Sequence, residues 1–267
     1  MKDRTPGYYL DVGACHPTAD SVTKLFSLHG WTGINIEPQP HLARLLEEDR
    51  PNDVNLVAGV GDTPGELELH VVEADCQRTT FSSALAEIYR AEGRAVTTHR
   101  VPVVTLDQVL ADHPMPRIDF LKIDAEGFED RVLAGLDLTR HRPSVIVAEF
   151  GGAVEYHYPE VLDAAGYLPV MFDGVNRYFV AQEAAEELSG ALSYPACALD
   201  EWIPAALAHE RAARAEAEAA GARALDQLNV VAAEMEMLRS SESWRVGQAI
   251  ARCSAPLVRV WHRLRGS

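Results

Sequence analysis

Asp119-Phe120-Leu121-Lys122-Ile123-Asp124-Ala125-Glu126-Gly127-Phe128-Glu129 carries an apolar strand into two carboxylates and a glycine, and a helical pattern follows. A strand of this kind that ends in acidic residues places them where open α/β sheets hold ligands, outside the carboxyl ends of the strands. The same layout recurs upstream. Tyr8 to Val12 is a short apolar strand followed by Gly13 and a helical pattern over Ser21 to His29, with Val22, Leu25, Phe26 and Leu28 directed to the core and Gly30 as its stop. Trp31 to Ile36 is a second strand stopping at Glu37-Pro38, and Leu42, Leu45 and Leu46 mark the helix after it.

Further strands are expected over Val54 to Val60, along the alternating Leu67, Leu69 and Val71, and over Val101 to Val104. Short helices are expected at Ala84 to Ala91 and Leu106 to Leu110, with a polar loop over Asp75 to Ser83. Downstream of the acidic strand end come a helix over Glu126 to Leu136, a strand from Val145 closing at Glu149, and a helix over Tyr158 to Ala165 capped by Gly166. Two strands flanking Asp173-Gly174-Val175-Asn176 complete a hairpin. This order of elements predicts an α/β domain with a mostly parallel sheet and an antiparallel edge.

The chain of 267 residues has a formal charge of -16, which argues against general nucleic-acid binding, since that needs a positive footprint. Cys15, Cys76, Cys197 and Cys253 show no metal-type spacing and read as thiols in a reducing compartment. No secretory leader pattern opens the chain and no apolar run is long enough to span a bilayer, so a cytoplasmic enzyme is expected, with the inner membrane face as a peripheral site.

Composition changes near residue 204, dividing the chain into a domain over 1–204, a long helix over 205–240 and a basic amphipathic tail over 241–267. In the helix, Ala224, Leu228, Val231, Met235 and Leu238 recur at alternating four and three residues, the spacing of a short coiled-coil seam. Self-association through this helix and folding back on its own domain both fit the pattern. The tail carries Arg245, Arg252, Arg259, Arg263 and Arg265 beside an apolar stripe, which suits either an anionic membrane face contacted by residues 245–265 or an acidic protein surface.

In Asp11-Val12-Gly13-Ala14-Cys15-His16-Pro17, the glycine permits a tight turn and a close approach of ligand to backbone. The dinucleotide fingerprint Gly-x-Gly-x-x-Gly is missing, which disfavours a pyrophosphate cradle. Glu37, ending the second strand, holds the place at which an acidic residue accepts hydrogen bonds from ribose hydroxyls. The pattern suits an adenosine-bearing cofactor without a pyrophosphate, such as S-adenosylmethionine, with Asp11 facing its cationic methionine end. Methyl transfer to an alcohol needs a base for the hydroxyl proton, and the candidates are Asp124, Glu149, His16 and His157. Asp124 is the strongest of these, while Glu126 reads as the start of its helix, where the dipole favours a carboxylate. Asp124, Glu126 and Glu149 also form an oxygen donor set for a divalent metal such as magnesium.

Asp11-Val12-Gly13-Ala14, Gly30-Trp31-Thr32-Gly33-Ile34-Asn35-Ile36-Glu37-Pro38, the block from Phe120 to Glu129, and Phe172-Asp173-Gly174-Val175-Asn176-Arg177 together resemble the FkbM family of S-adenosylmethionine-dependent methyltransferases. The resemblance covers about residues 8–200. It implies a class I methyltransferase (Rossmann-like) sheet, S-adenosylmethionine as cofactor, and hydroxyls of sugars or natural products as acceptors. By this resemblance Asp11, Gly13 and Glu37 contact the cofactor and Asp124 and Glu126 border the reaction site, and Ala14, Pro38 and Gly59 are further cofactor-binding candidates. Family members often carry asparagine or aspartate where Cys15-His16 stands, and glycine at the place of Pro17. The segment Ser241 to Arg245 is similar to linkers in bacterial surface-polysaccharide assembly enzymes, which favours a glycan acceptor. Two other readings compete with the O-methyltransferase: a catalytically silent scaffold of a glycan-assembly complex, and a nicotinamide-dependent oxidoreductase, which the glycine pattern disfavours.

Overall fold

The structure, a computed structural model, describes residues 6–73, 75, 78–150, 155–193 and 205–240, together with Trp244 and Gln248. Nearly all of the tail over 241–267 lies outside them, as do Cys76, Cys197 and Cys253. Two compact units divide the chain, Met1–Ala196 and Cys197–Ser267. Among the described residues no helix is long and apolar enough to cross a membrane.

The first unit is built on a seven-stranded sheet. Its parallel strands are β1 (Tyr8–Val12), β2 (Thr32–Ile36), β3 (Val54–Leu56), β7 (Phe120–Ile123) and β8 (Val145–Glu149). Beyond β8 lies the hairpin of β9 (Tyr167–Phe172) and β10 (Asn176–Ala181), giving the order β3-β2-β1-β7-β8-β10-β9. β10 runs antiparallel to both neighbours and so is inserted inside the edge, leaving β9 outermost. This is the mostly parallel class I methyltransferase sheet that the sequence predicts. A second sheet, which the sequence reading does not separate, has the order β4-β6-β5 from Gly59–Val60, Val96–Val104 and Gly65–Val72. The expected strand over 54–60 therefore splits, its first half joining the large sheet and its second half the small one.

Successive strand residues fill opposite faces, as the pleat requires. Leu10, Val12, Leu121, Ile123 and Ile146 join one apolar cluster, and Tyr9, Phe120, Val145 and Val147 another. In the second cluster Phe26 stacks on Trp31 at 4.6 Å and meets Phe120 edge-on at 4.8 Å. Phe26 sits on α1 (Lys24–Leu28), much shorter than the expected helix over 21–29. Val22, Leu25 and Leu28 are exposed, correcting their placement in the core: a helix of this length presents only one side chain, Phe26, to the sheet. α2 (Pro40–Asp49) follows expectation with Leu42 and Leu46 buried.

α3 (Ser83–Ala91) and α4 (Leu106–Asp112) stand close to their predicted places, α4 opening with a capping box from Thr105 and Gln108. α5 is confined to Glu129–Ala134, so Glu126 lies outside it and does not begin a helix. α6 (Tyr158–Ala164) ends beside Gly166, whose φ of +77° is the expected left-handed stop, and α7 spans Ala185–Leu188. In the second unit, α8 runs over Ala205–Ser240, the bounds read from composition.

Candidate active site

The sheet grows outward from β1 in both directions, through β2 and β3 on one side and β7 and β8 on the other. Loops leaving β1 and β7 must therefore part at their carboxyl ends, and a crevice opens where the order reverses. A cavity of about 300 Å³ occupies it. Its wall includes Gly13, Ala14 and Cys15 after β1, Glu37 and Pro38 after β2, Gly59, Lys122, Asp124 and Glu126 around β7, and Glu149 at the end of β8.

Gly13 holds the crevice together. Its φ is +70°, and a Cβ there would lie 1.8 Å from the carbonyl oxygen of Asp124, so no side chain fits. Its N–H and that of Ala14 donate to the carbonyl of Ile36 at 3.0 and 3.2 Å, tying the loop to β2. Lys122 reaches back from β7 to donate to the carbonyl of Gly13 at 2.7 Å, and its ammonium lies 3.4 Å from Asp11 and 3.3 Å from Asp124. Burial alone would lower the pKa of this lysine, but the Asp124 and Asp11 carboxylates raise it, so it stays charged.

Glu37 is buried with both oxygens partly engaged: Oε2 accepts from Cys15 N–H and Oε1 from Gln39 N–H, each at 2.9 Å. Every carboxylate oxygen has two lone pairs, so each retains one for a ligand hydroxyl. Burial raises its pKa to about 7 against the pull of these N–H groups. Gly59, at the floor of this end, would place a Cβ 2.3 Å from the Phe81 ring.

At the other end, carboxylate oxygens of Asp124, Glu126 and Glu149 lie within 4.8 Å of one another, a donor set that can hold a hard divalent cation such as magnesium. Burial, followed by the charges of Glu149 and Asp124, lifts Glu126 to about 8; burial and then Asp124 lift Glu149 to about 7. Glu149 Oε2 is buried and accepts no hydrogen bond from the described residues. Glu126 occupies a left-handed turn at φ +50°, where Thr80 Oγ1 donates to its carbonyl at 2.6 Å and Tyr89 OH to its carboxylate at 3.2 Å. Cys15 and Asp20, the other two non-glycine residues described with positive φ, line the same cavity. Backbone strain of this kind concentrates where surrounding structure fixes a functional shape.

The fold thus brings together Gly13, Ala14, Glu37, Pro38, Gly59, Asp124, Glu126 and Glu149. Asp11, His16 and His157 fall outside the lining. Asp11 is buried beneath the loop, hydrogen-bonded by Thr23 at 2.5 Å and facing Lys122. His16 spends Nδ1 on the N–H groups of Thr18 and Ala19, shaping its own turn. His157 precedes α6, where its N–H donates to Asp130.

Sequence reading assigned no role to Lys122, Glu129 or Arg50. Glu129 is fully buried at the start of α5, its Oε1 accepting from Ala125 N–H at 2.8 Å and Gly127 N–H at 3.3 Å, so it shapes the acidic loop from inside. Burial raises its pKa to about 8. Arg50, equally buried, donates to Thr23, Ser21, Asn35 and the carbonyl of Pro17, bracing the β1 loop. Lys122 and Glu129 both stand in the quoted block, and the signal that could have found them is a charged side chain inside or just after an apolar strand, which must be paired when buried.

The Methyltransferase FkbM domain matches residues 11–179. Among solved structures, the crystal structure of Methyltransferase FkbM from Methylobacillus flagellatus KT is similar at 14% identity and a TM-score of 0.41, over 65% of this chain and 43% of that one. This chain thus spans less than half the length of that protein. No curated protein matches. The domain match covers more than half of the sequence and includes Gly13, Glu37, Asp124 and Glu149: the chain belongs to the FkbM methyltransferase family.

Proposed function

We propose that the protein is an S-adenosylmethionine-dependent O-methyltransferase acting on a hydroxyl, that of a sugar in a bacterial glycan or glycosylated natural product. The observation that carries this reading is one cavity whose lining holds Gly13 and Glu37 together with Asp124 and Glu149. The residues present fit the cofactor. Glu37 offers free lone pairs for two ribose hydroxyls, Gly13 keeps the backbone open, and the acidic wall suits a sulfonium cation. When bound, S-adenosylmethionine supplies the methyl group and leaves as neutral S-adenosylhomocysteine.

The chain's own part is to position the acceptor and take its proton. Glu149 is the better base, because its Oε2 has no hydrogen-bond partner among the described residues and burial, then Asp124, holds its pKa at about 7, near the operating pH. Asp124 is engaged by Lys122, so its role is to fix the loop and the charge of the wall. The test is mass spectrometry of candidate glycans and cell extract incubated with protein and labelled S-adenosylmethionine. A labelled methyl ether on a sugar hydroxyl is expected. Tight cofactor binding with no methylated product from any acceptor would overturn the enzymatic reading in favour of a scaffold.

A further inference from the structure

The surface of α8 shows a feature the catalytic reading does not use. Leu228, Val231 and Met235, three members of the seam that also includes Ala224 and Leu238 in the sequence, are between 48% and 66% exposed. Their four-three spacing puts Leu228 and Met235 at one core position of a heptad and Val231 at the other. In that frame Glu234 precedes a core residue and Arg239 follows one, five residues further on. These are the flanking positions that face each other across a parallel in-register pair, so each Glu234 meets the Arg239 of the other helix twice over. An antiparallel pair sets flanking positions of the same kind opposite each other and loses this match.

We infer that α8 binds a second copy of itself, parallel and in register, through the segment from Ala224 to Leu238. The seam spans about 21 Å at 1.5 Å per residue. Upstream, Arg214 and Gly221 occupy core positions and add nothing to the contact, which confines it to the C-terminal half of the helix.

The test uses the full chain in sedimentation velocity at micromolar concentration. A mass of two copies is expected for the parent, and a monomer for Val231→Glu with S-adenosylmethionine binding unchanged, which keeps folding of the first unit in view. Glu234→Arg should weaken association by about tenfold, the effect of turning two exposed attractions into repulsions. Glu234→Arg combined with Arg239→Glu should restore it. A Val231→Cys chain should form a disulfide with its own copy under mild oxidation, beyond any seen in the parent. A monomeric parent overturns the inference; so does a double variant as dissociated as the single one, or an unlinked Val231→Cys chain.

Discussion

Glutamine in place of Glu37 probes the cofactor end with the least change of shape. Each carboxylate oxygen accepts one loop N–H, from Cys15 and from Gln39, and keeps one lone pair for a ribose hydroxyl. Glutamine has a single acceptor oxygen, and its NH2 must face one of those two N–H groups, donor to donor. A hydrogen bond to a charged acceptor contributes about 1.5–3 kcal/mol, so losing one to two of them costs about 1.5–6 kcal/mol, or from about 10-fold to about 10,000-fold and more in Kd. Isothermal titration with S-adenosylmethionine and S-adenosylhomocysteine measures this, beside a thermal melt showing that Glu37→Gln remains folded. The charge gives a second readout. Burial holds the Glu37 carboxyl at about 7, and two ribose hydroxyls are best accepted by its ionised form. Parent affinity should therefore strengthen from about pH 6 to about pH 8, and Glu37→Gln should show a smaller rise, what remains coming from Glu149 and Glu126 in the acidic wall. A folded Glu37→Gln chain that binds within about threefold of the parent, with the same pH profile, would refute the ribose contact.

Gly13→Ala should abolish cofactor binding and lower Tm by about 5 °C or more, since the left-handed φ costs about 1–2 kcal/mol before the clash with the Asp124 carbonyl is counted; a parent-like melt would contradict it. Glu149→Gln should lower kcat by about 100- to 1,000-fold on the acceptor found by mass spectrometry, with the Kd of the uncharged S-adenosylhomocysteine unchanged, and a kcat close to the parent's would remove Glu149 as the base. Ligand-free stability should fall with rising pH. Glu37 and Glu149 sit at about 7 and Glu126 and Glu129 at about 8, all above the ordinary 4.5, so the folded state holds protons that the unfolded chain releases. Their contribution is fully present below the unfolded value and is lost as pH rises through about 7 to 8, so thermal melts should show a declining Tm across that window, and a rising one would refute the assignment.

The sheet was legible because its strands are short apolar runs closed by turn residues or acids, and the block ending at Asp124 marks its own position by changing character within one residue. Glu37 and Gly13 were legible for the same reason, at equivalent places in successive strand-to-helix units. What could not be read was decided by contacts between distant segments. Val22, Leu25 and Leu28 are apolar enough for a core helix, yet only five residues become α1 and only Phe26 finds the aromatic cluster. His16 looked like a base because it stands in the cofactor turn, but its Nδ1 accepts from the turn's own N–H groups and the ring falls outside the cavity lining. Glu126 looked like a helix start because a carboxylate after the turn at Asp124 is favoured by a helix dipole; the helix begins at Glu129, which leaves Glu126 in the turn facing the cavity.

The two ends of the cavity are held by different parts of the fold, and this has a consequence for specificity. The cofactor end is fixed within the large sheet: Gly13 against Asp124, Lys122 on Gly13, Glu37 on the β1 loop. Glu126, in the acidic wall, is instead held by Thr80 and Tyr89, which belong to the segment carrying the small sheet and α3. That segment also supplies Leu69, Thr79 and Phe81 to the cavity, and Phe81 packs on Phe128 beside the acidic turn. Changes at Tyr89 can therefore reshape the acidic wall, whereas Thr79 and Phe81 also reach the Glu37 end, through Gln39 at 3.3 Å and the ring beside Gly59. Loops that vary over a rigid scaffold are where binding preferences are set.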